Sequence, residues 1–315
     1  MEKQIFQFII ESDSIIISRH KNPDLDAYGS QFGLYYSLKT AFPNKDIYVI
    51  GDTNQLNQFQ DFDEVTPEIL SKSLLFILDT VSKQMLQNDD YAKAKKVILI
   101  DHHQNDPDIS YDIYMKNVLA SSTSEMVTLL LQHNDIQITK KAAKPLFMGI
   151  VGDTGRFMFS NTSALTFRVV ADLVETGIDI SAIFNKMYTE TFQSKQVKAD
   201  FFNSISLTKN KVAYRKNDID FLNKHHMDSS SVSRGLVNQM AGIKEVPIWV
   251  NFTFDIQTSK IFCEFRSREI PVIEIAKRHG GGGHLLACGC SVTTWEDTDI
   301  ILQELDELLE ETNNG

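Results

Sequence analysis

The chain has 315 residues, 42% of them apolar, three cysteines and a formal net charge of −11. That length exceeds one ordinary domain, and the acidic balance excludes a surface built to grip long duplex nucleic acid, which needs basic stripes. A local basic pocket for a small or short anionic substrate stays compatible with the charge, and surplus carboxylates suit metal binding. Cys263, Cys288 and Cys290 are too few for a disulfide framework, so a reduced, intracellular compartment is expected. Glu11 and Asp13 interrupt the N-terminal segment too early for a signal peptide, and no apolar run approaches the ~20 residues that span a bilayer. The expectation is a soluble, cytoplasmic protein without a membrane partner.

In chain order, Ile15 to Ser18 reads as a strand leading to His20, Asp24 and Asp26, and Ala27 to Ala41 as a helix. Leu74 to Leu78 is a strand ending at Asp79, and Val97 to Ile100 a strand ending in Asp101-His102-His103. Helical spacing returns at Ser124 to His133, a strand is expected at Phe147 to Gly152 before Asp153, and a helix at Ala164 to Glu175. This alternation predicts an α/β domain over 1–187, a mostly parallel sheet with helices on both faces, whose ligands collect at the carboxyl ends of the strands. A polar helical linker is expected over 188–203. A smaller α+β domain with a mixed sheet is expected over 204–315, with strands at Lys211 to Arg215, Ile248 to Phe254 and Ile261 to Arg266, and helices at Val272 to Arg278 and Asp297 to Glu311.

Pro23 is expected to hold Asn22 extended, so His20 to Asp26 should form a loop off a strand. Taken alone, Asp26 reads as a helix cap and His20 as a satisfied polar residue. Four polar clusters at one sheet edge change that reading. Carboxylates mixed with imidazoles suit Mn²⁺ or another first-row divalent ion, and the carboxylates oversupply a single ion. Two ions bridged by a shared carboxylate use them all, and such a pair activates a bridging water for phosphoryl chemistry.

In the C-terminal part, one glycine after a helix is a routine C-cap, which accounts for Gly280. Four in a row before His284 point to a backbone that approaches a ligand closely. Strand alternation puts Arg266 and Arg268 on one face, either as solvated edge arginines or as a paired guanidinium site for phosphate. Ala120 to Glu125 reads as a hydroxyl-rich helix start, with capping favoured over phosphate contact. His225-His226 and Cys288-Gly289-Cys290 lack supporting metal partners.

His20-Lys21-Asn22-Pro23-Asp24-Leu25-Asp26-Ala27, Leu78-Asp79-Thr80, Asp101-His102-His103, Gly152-Asp153-Thr154-Gly155-Arg156 and Gly280 to His284, in that order, resemble the motifs of the DHH phosphoesterase superfamily, in particular its NrnA-like branch. The resemblance covers essentially the whole chain. It implies that His20, Asp24 and Asp79 hold one Mn²⁺, and that Asp26, Asp79, His102 and Asp153 hold a second. It implies that His103 faces the substrate, as phosphate ligand or proton donor, while Asp101 orients the histidines. Arg266, Arg268, Gly281, Gly282, Gly283 and His284 are implied to hold a nucleotide.

The implied substrates are short RNA oligonucleotides, linear dinucleotides such as pApA, and 3′-phosphoadenosine 5′-phosphate. The C-terminal domain would hold a terminal nucleotide while the metals attack the next phosphate. The alternatives are a RecJ-like single-strand exonuclease, a family II inorganic pyrophosphatase and a noncatalytic nucleotide-binding regulator. The sequence leaves a homodimer open.

Overall fold

The computed structural model describes residues 1–54, 56–87 and 89–314, with no account of the side chains of residues 313 and 314. The chain divides into two compact units, Met1–Thr189 and Glu190–Gly315. No described helix is long and apolar enough to cross a membrane.

The first unit is built on five strands: β1 (Ser14–Arg19), β2 (Asp46–Val49), β3 (Leu74–Leu78), β4 (Lys96–Asp101) and β5 (Ile113–Lys116). They pair in the order β2-β1-β3-β4-β5, and every pairing is parallel. The three central strands β1, β3 and β4 are apolar on both faces, as a doubly covered parallel sheet requires. Ile15, Ile17, Phe76 and Ile98 face one core, and Ile16, Leu75, Ile77 and Leu99 face another.

The first unit's helices are α1 (Glu2–Glu11), α2 (Leu25–Ala41), α3 (Pro67–Lys72), α4 (Thr123–Gln132), α5 (Lys140–Asp153), α6 (Ala164–Glu175) and α7 (Ile180–Tyr188). Residues of α1, α2, α4 and α5 fill the larger core, whereas the opposite face is covered by α3 and a 3₁₀ turn bearing Tyr91.

One expected strand is a helix. Phe147 to Gly152 forms the last turns of α5, which starts after Thr139 and runs through Pro145. All of Pro145 to Val151 is buried. A helix enclosed by neighbours reads as an unbroken apolar run, as a buried parallel strand does, and six residues of periodicity do not separate the two. The sheet therefore has no strand leading to Asp153, and that carboxylate comes from a helix C-terminus.

Helices α2, α4 and α5 meet at unusually close range. A Cβ on Gly29 would lie 2.6 Å from the Pro145 carbonyl oxygen and 2.7 Å from Ser124 Oγ, and one on Gly149 would collide with Ser124 Oγ. These absent side chains bring the start of α4 against the start of α2.

The second unit contains α8 (Phe192–Asn203), β6 (Ser206–Leu207), β7 (Ala213–Asn217), α9 (Ile219–His225), α10 (Ser229–Leu236), β8 (Ile248–Asp255), β9 (Lys260–Ser267), α11 (Ile273–Arg278), β10 (Gly282–Gly283), β11 (Ala287–Val292) and α12 (Trp295–Asn314). Its mixed sheet has the order β10-β11-β9-β8-β7-β6, with β7 and β8 parallel and the remaining pairs antiparallel. Val250, Phe252, Cys263 and Phe265 pack under α11 and α12 on one face. On the other, Ala213 and Trp249 pack with Phe221, Val232 and Leu236 and with Val197 and Phe201 of α8. The polar helical stretch after Tyr188 thus contributes core residues to the second unit.

The close approach at Gly29 sets a stability prediction. Gly29→Ala should lower stability by about 1–3 kcal/mol, the usual penalty for overpacking a core, read as a lower urea midpoint. An unchanged midpoint would show that α2 and α5 part without cost.

Candidate metal centre

Three parallel strands deliver their following residues to one edge. His20 follows β1, Asp79 follows β3, and Asp101, which ends β4, is followed by His102 and His103. Asp79 has a left-handed backbone, φ 61°, while its N–H still donates to the Ile100 carbonyl at 3.0 Å. That turn buries the carboxylate among the surrounding imidazoles. His20 Nε2 lies 3.4 Å from Asp79 Oδ2, His102 Nε2 3.7 Å from Oδ1, and His103 Nδ1 3.9 Å from the same oxygen. The Thr123 hydroxyl donates to Asp79 Oδ1 at 3.0 Å.

The capping of α2 expected of Asp26 falls instead to Asp24, and both carboxylates stay within the candidate ligand groups. Asp24 is the N-cap of α2, and its Oδ1 accepts from the backbone N–H groups of Asp26 and Ala27 at 2.9 Å each. Asp26 lies inside that helix and caps a different one. Its carboxylate accepts from the N–H groups of Thr123 and Ser124, at 2.6 and 2.8 Å, where α4 begins. A helix N-terminus favours a carboxylate there, so Asp26 is fixed by a dipole outside its own helix. The hydroxyl-rich start of α4 is a capping segment: Ser122 Oγ accepts from the Glu125 N–H at 3.0 Å.

Asp153, at the end of α5, completes the set with His102 Nε2 3.2 Å from its Oδ2. Side-chain atoms of His20, Asp24 and Asp79 lie within 4.8 Å of one another, as do those of Asp26, His102 and Asp153, and those of Asp79, His102 and His103. His20 Nδ1 donates to the Lys21 carbonyl at 2.7 Å, which leaves Nε2 to face Asp79 and Asp24. Asp101 is fully buried and does not reach the cluster as a donor. It binds His103, accepting from Nδ1 at 2.8 Å and from the backbone N–H at 3.2 Å.

The metal-free electrostatics show how far the carboxylates exceed their counter-charges. Burial, then the charges of Asp79, Asp153 and Asp24, raise Asp26 well above the usual carboxylate range. Burial and the charges of Asp79 and Asp24 do the same to Asp153. Asp79 goes the other way: burial opposes its charge, but His20, His103 and His102 outweigh that and hold it low. Burial likewise opposes the charge on His20 and His103, yet bonds to Asp79 and Asp101 respectively raise each to about 9. Mixed oxygen and nitrogen donors at this spacing, short of positive charge, fit divalent first-row cations.

Comparison with known proteins gives the family. Residues 14–150 match the model of the DHH family, N-terminal domain, and residues 212–311 that of the DHHA1 domain. The chain is 33% identical to the bifunctional oligoribonuclease and PAP phosphatase NrnA of Bacillus subtilis, over 99% of both chains. The chain belongs to the DHH family. It is a hydrolase of phosphoester bonds. A probable bifunctional oligoribonuclease and PAP phosphatase NrnA of Streptococcus mutans is 31% identical over 98% of each chain. In fold, the chain is similar to an exopolyphosphatase-related protein of Bacteroides fragilis, with a TM-score of 0.86 and 24% identity over 98% of this chain and 97% of that one.

The second unit accounts differently for the residues singled out there. Gly280, at φ 74°, follows the C-cap of α11. A Cβ on Gly281 would collide with the Gly289 carbonyl oxygen, and one on Gly283, at φ 134°, would lie 2.7 Å from Cys288 Cα. Two of the four glycines are therefore required by the hairpin and Gly280 by the turn that ends α11, whereas a Cβ on Gly282 would meet open space. Arg266, on β9, binds Glu264 at 3.2 Å, and Glu264 also pairs with Arg234 at 3.4 Å. Arg268 lies beyond the end of β9, where it donates to the carbonyls of Ile243 and Val246 at 2.8 and 3.3 Å. The two arginines thus have separate partners. The His284 N–H closes a turn to the Ala287 carbonyl at 2.8 Å. His225 pairs with Asp200, and Cys288 lies buried in β11.

Sequence reasoning missed Thr123 as a partner of Asp79, together with Arg19, Asp52 and Asn161. Asn161 Nδ2 donates to the carbonyls of Ser121 and Asp153 at 2.9 and 3.1 Å, tying the start of α4 to the end of α5. Of these, only the hydroxyl run at 121–124 left a sequence signal.

Because a bound cation must displace protons from His20 and from the raised carboxylates, Mn²⁺ binding at pH 8 should release about one proton or more per chain. Burial opposes the charge on His20 but Asp79 raises it to about 9, so affinity should rise with pH and level off above 9. Calorimetry in buffers of different ionisation enthalpy measures the proton count. Binding without proton release would show that the imidazoles are not ligands.

Proposed function

We propose that the chain hydrolyses short oligoribonucleotides, linear dinucleotides such as pApA, and 3′-phosphoadenosine 5′-phosphate, using two Mn²⁺ ions. The observation that carries this reading is Asp79, one buried carboxylate lying between His20 and His102, each beside its own further carboxylate. His20, Asp24 and Asp79 would hold one ion, and Asp26, Asp79, His102 and Asp153 the other. When bound, the ions supply charge neutralisation at the phosphate and a lowered pKa for water.

The chain's own residues do the rest. Asp101 fixes His103 through Nδ1, and His103 Nε2 would bind a phosphate oxygen or pass a proton to the leaving group. The backbone amides that hold Asp26 keep its oxygens in place as phosphate charge arrives. In the second unit, Arg266, Arg268, the backbone at Gly281 to Gly283 and His284 would hold a terminal nucleotide. The NrnA relatives, named as oligoribonucleases and PAP phosphatases, match along nearly the whole chain and support this choice of substrates.

Purified protein with Mn²⁺ should turn over a five-nucleotide RNA, pApA and 3′-phosphoadenosine 5′-phosphate in preference to pyrophosphate. Turnover of pyrophosphate alone would overturn the substrate assignment, and no turnover of any would favour a noncatalytic nucleotide binder. His103→Ala should lower kcat by about 10²–10⁴-fold, the range of a lost general acid, with metal content retained. Arg266→Ala and His284→Ala should raise KM for nucleotides and likewise leave metal content unchanged. Loss of metal in either would refute the division of labour.

A further inference from the structure

Arg19 is the last residue of β1, next to His20, and its side chain is 0% exposed. An arginine buried to that degree needs a reason. Its guanidinium lies 4.8 Å from the ring centre of Tyr28 and 5.0 Å from that of Phe62. Nη1 donates to Asp52 Oδ1 at 2.7 Å and to the His20 carbonyl at 2.9 Å, and Nη2 donates to the Asp52 carbonyl. Gly51, at φ 152°, makes room for it, since a Cβ there would lie 2.8 Å from Nη1. Burial lowers the pKa of Arg19, against the raising effect of Asp52, Tyr28 and Asp24.

Asp52 gathers the loop that follows. Its Oδ2 accepts from the Asn22 N–H at 3.0 Å, where Asn22, expected extended before Pro23, instead takes the left-handed conformation at φ 50°. Its Oδ1 also accepts from Gln87 Nε2, and that amide reaches the His20 carbonyl at 3.1 Å. The Lys21 N–H donates to the Met85 carbonyl at 2.7 Å. Every residue from His20 to Asn22 is thereby held by its backbone, and the segment leads directly to Asp24. Neither Arg19 nor Asp52 belongs to the three clusters of candidate ligand atoms.

We propose that Arg19 and Asp52 are positioning residues that fix the His20–Asp24 loop, and so set the affinity of the His20, Asp24 and Asp79 site for its divalent ion. The inference rests on the metal reading above but not on the choice of nucleotide substrate. Of the remaining ligand candidates Asp26, His102 and Asp153, Asp26 takes direct hydrogen bonds from the start of α4 and Asp153 takes one from Asn161, and none takes one from Arg19 or Asp52.

Mn²⁺ titration of metal-free protein, followed by calorimetry and by elemental analysis of bound metal, tests the clamp without substrate. Asp52→Ala should weaken one ion by about 10- to 100-fold, as loss of an outer support does, and leave the second ion at wild-type affinity. Because that variant leaves Arg19 buried and unpaired, Arg19→Met/Asp52→Ala serves as the second variant, restoring thermal stability by removing both charges. The clamp predicts that the weakened ion stays weak in the double variant. Recovery of affinity along with stability would overturn it, as would unchanged affinity in Asp52→Ala or parallel weakening of both ions. Should wild-type protein bind a single ion, the two-ion reading fails while the clamp is judged on that ion. A wild-type protein that binds none overturns both.

Discussion

The first unit is organised around a buried anion. Asp79 leaves β3 through a left-handed turn that places its carboxylate out of water, and a carboxylate so buried persists only where positive or hydrogen-bonding groups surround it. His20 and His102 come from the strands on either side of β3, and Thr123 arrives from the start of α4. The parallel order β1-β3-β4 is what brings the two flanking histidines to the same end of the sheet. An antiparallel neighbour would deliver its following residue to the opposite edge. Four carboxylates, Asp24, Asp26, Asp79 and Asp153, then share a space with three imidazoles, and their mutual repulsion is the property from which the site's chemistry follows.

That crowding is tolerated because rigid elements enforce it. Asp24 caps α2, Asp26 caps α4 from within α2, and Asp153 ends α5, so three helix termini meet at the edge of the sheet. Glycines where α2, α4 and α5 touch permit this convergence, because larger side chains would hold the helices apart. For Asp26, buried and pinned by two backbone amides, relaxing the repulsion requires moving α2 against α4 rather than rotating a side chain.

Much of this was legible in the sequence. Strand ends carrying Asp79 and Asp101-His102-His103 stand out because apolar runs stop abruptly at ionisable residues, and a parallel α/β pattern sends such ends to one edge. Asp79 and His102 could be collected from those ends, whereas the division of the donors into two sites came only from the resemblance to the DHH phosphoesterases. Asp153 was read on the right side of the site but on the wrong element, since a fully enclosed helix shows no amphipathic period. The capping of α4 by Asp26 was invisible because it joins residues some hundred positions apart, and periodicity speaks only about neighbours. Arg19 was hidden for a related reason: in sequence it is one more polar residue after a strand, and only the fold supplies Tyr28, Phe62 and Asp52 around it. In the second unit, the glycine run was conspicuous, but backbone contacts with β11 explain more of it than a ligand needs to.

Asp26 carries an implication for mutagenesis and for drift. Each of its oxygens already accepts from a backbone amide at the start of α4, and a cation would use the remaining lone pairs of the same oxygens. In the proposed site, fold and chemistry thus share one pair of atoms. Asparagine would present an NH₂ group to an amide that can only donate, and glutamate, one methylene longer, would push the helices apart. The position is closed to gradual substitution: no single change there can trade some activity for some stability, because both are held by the same two oxygens.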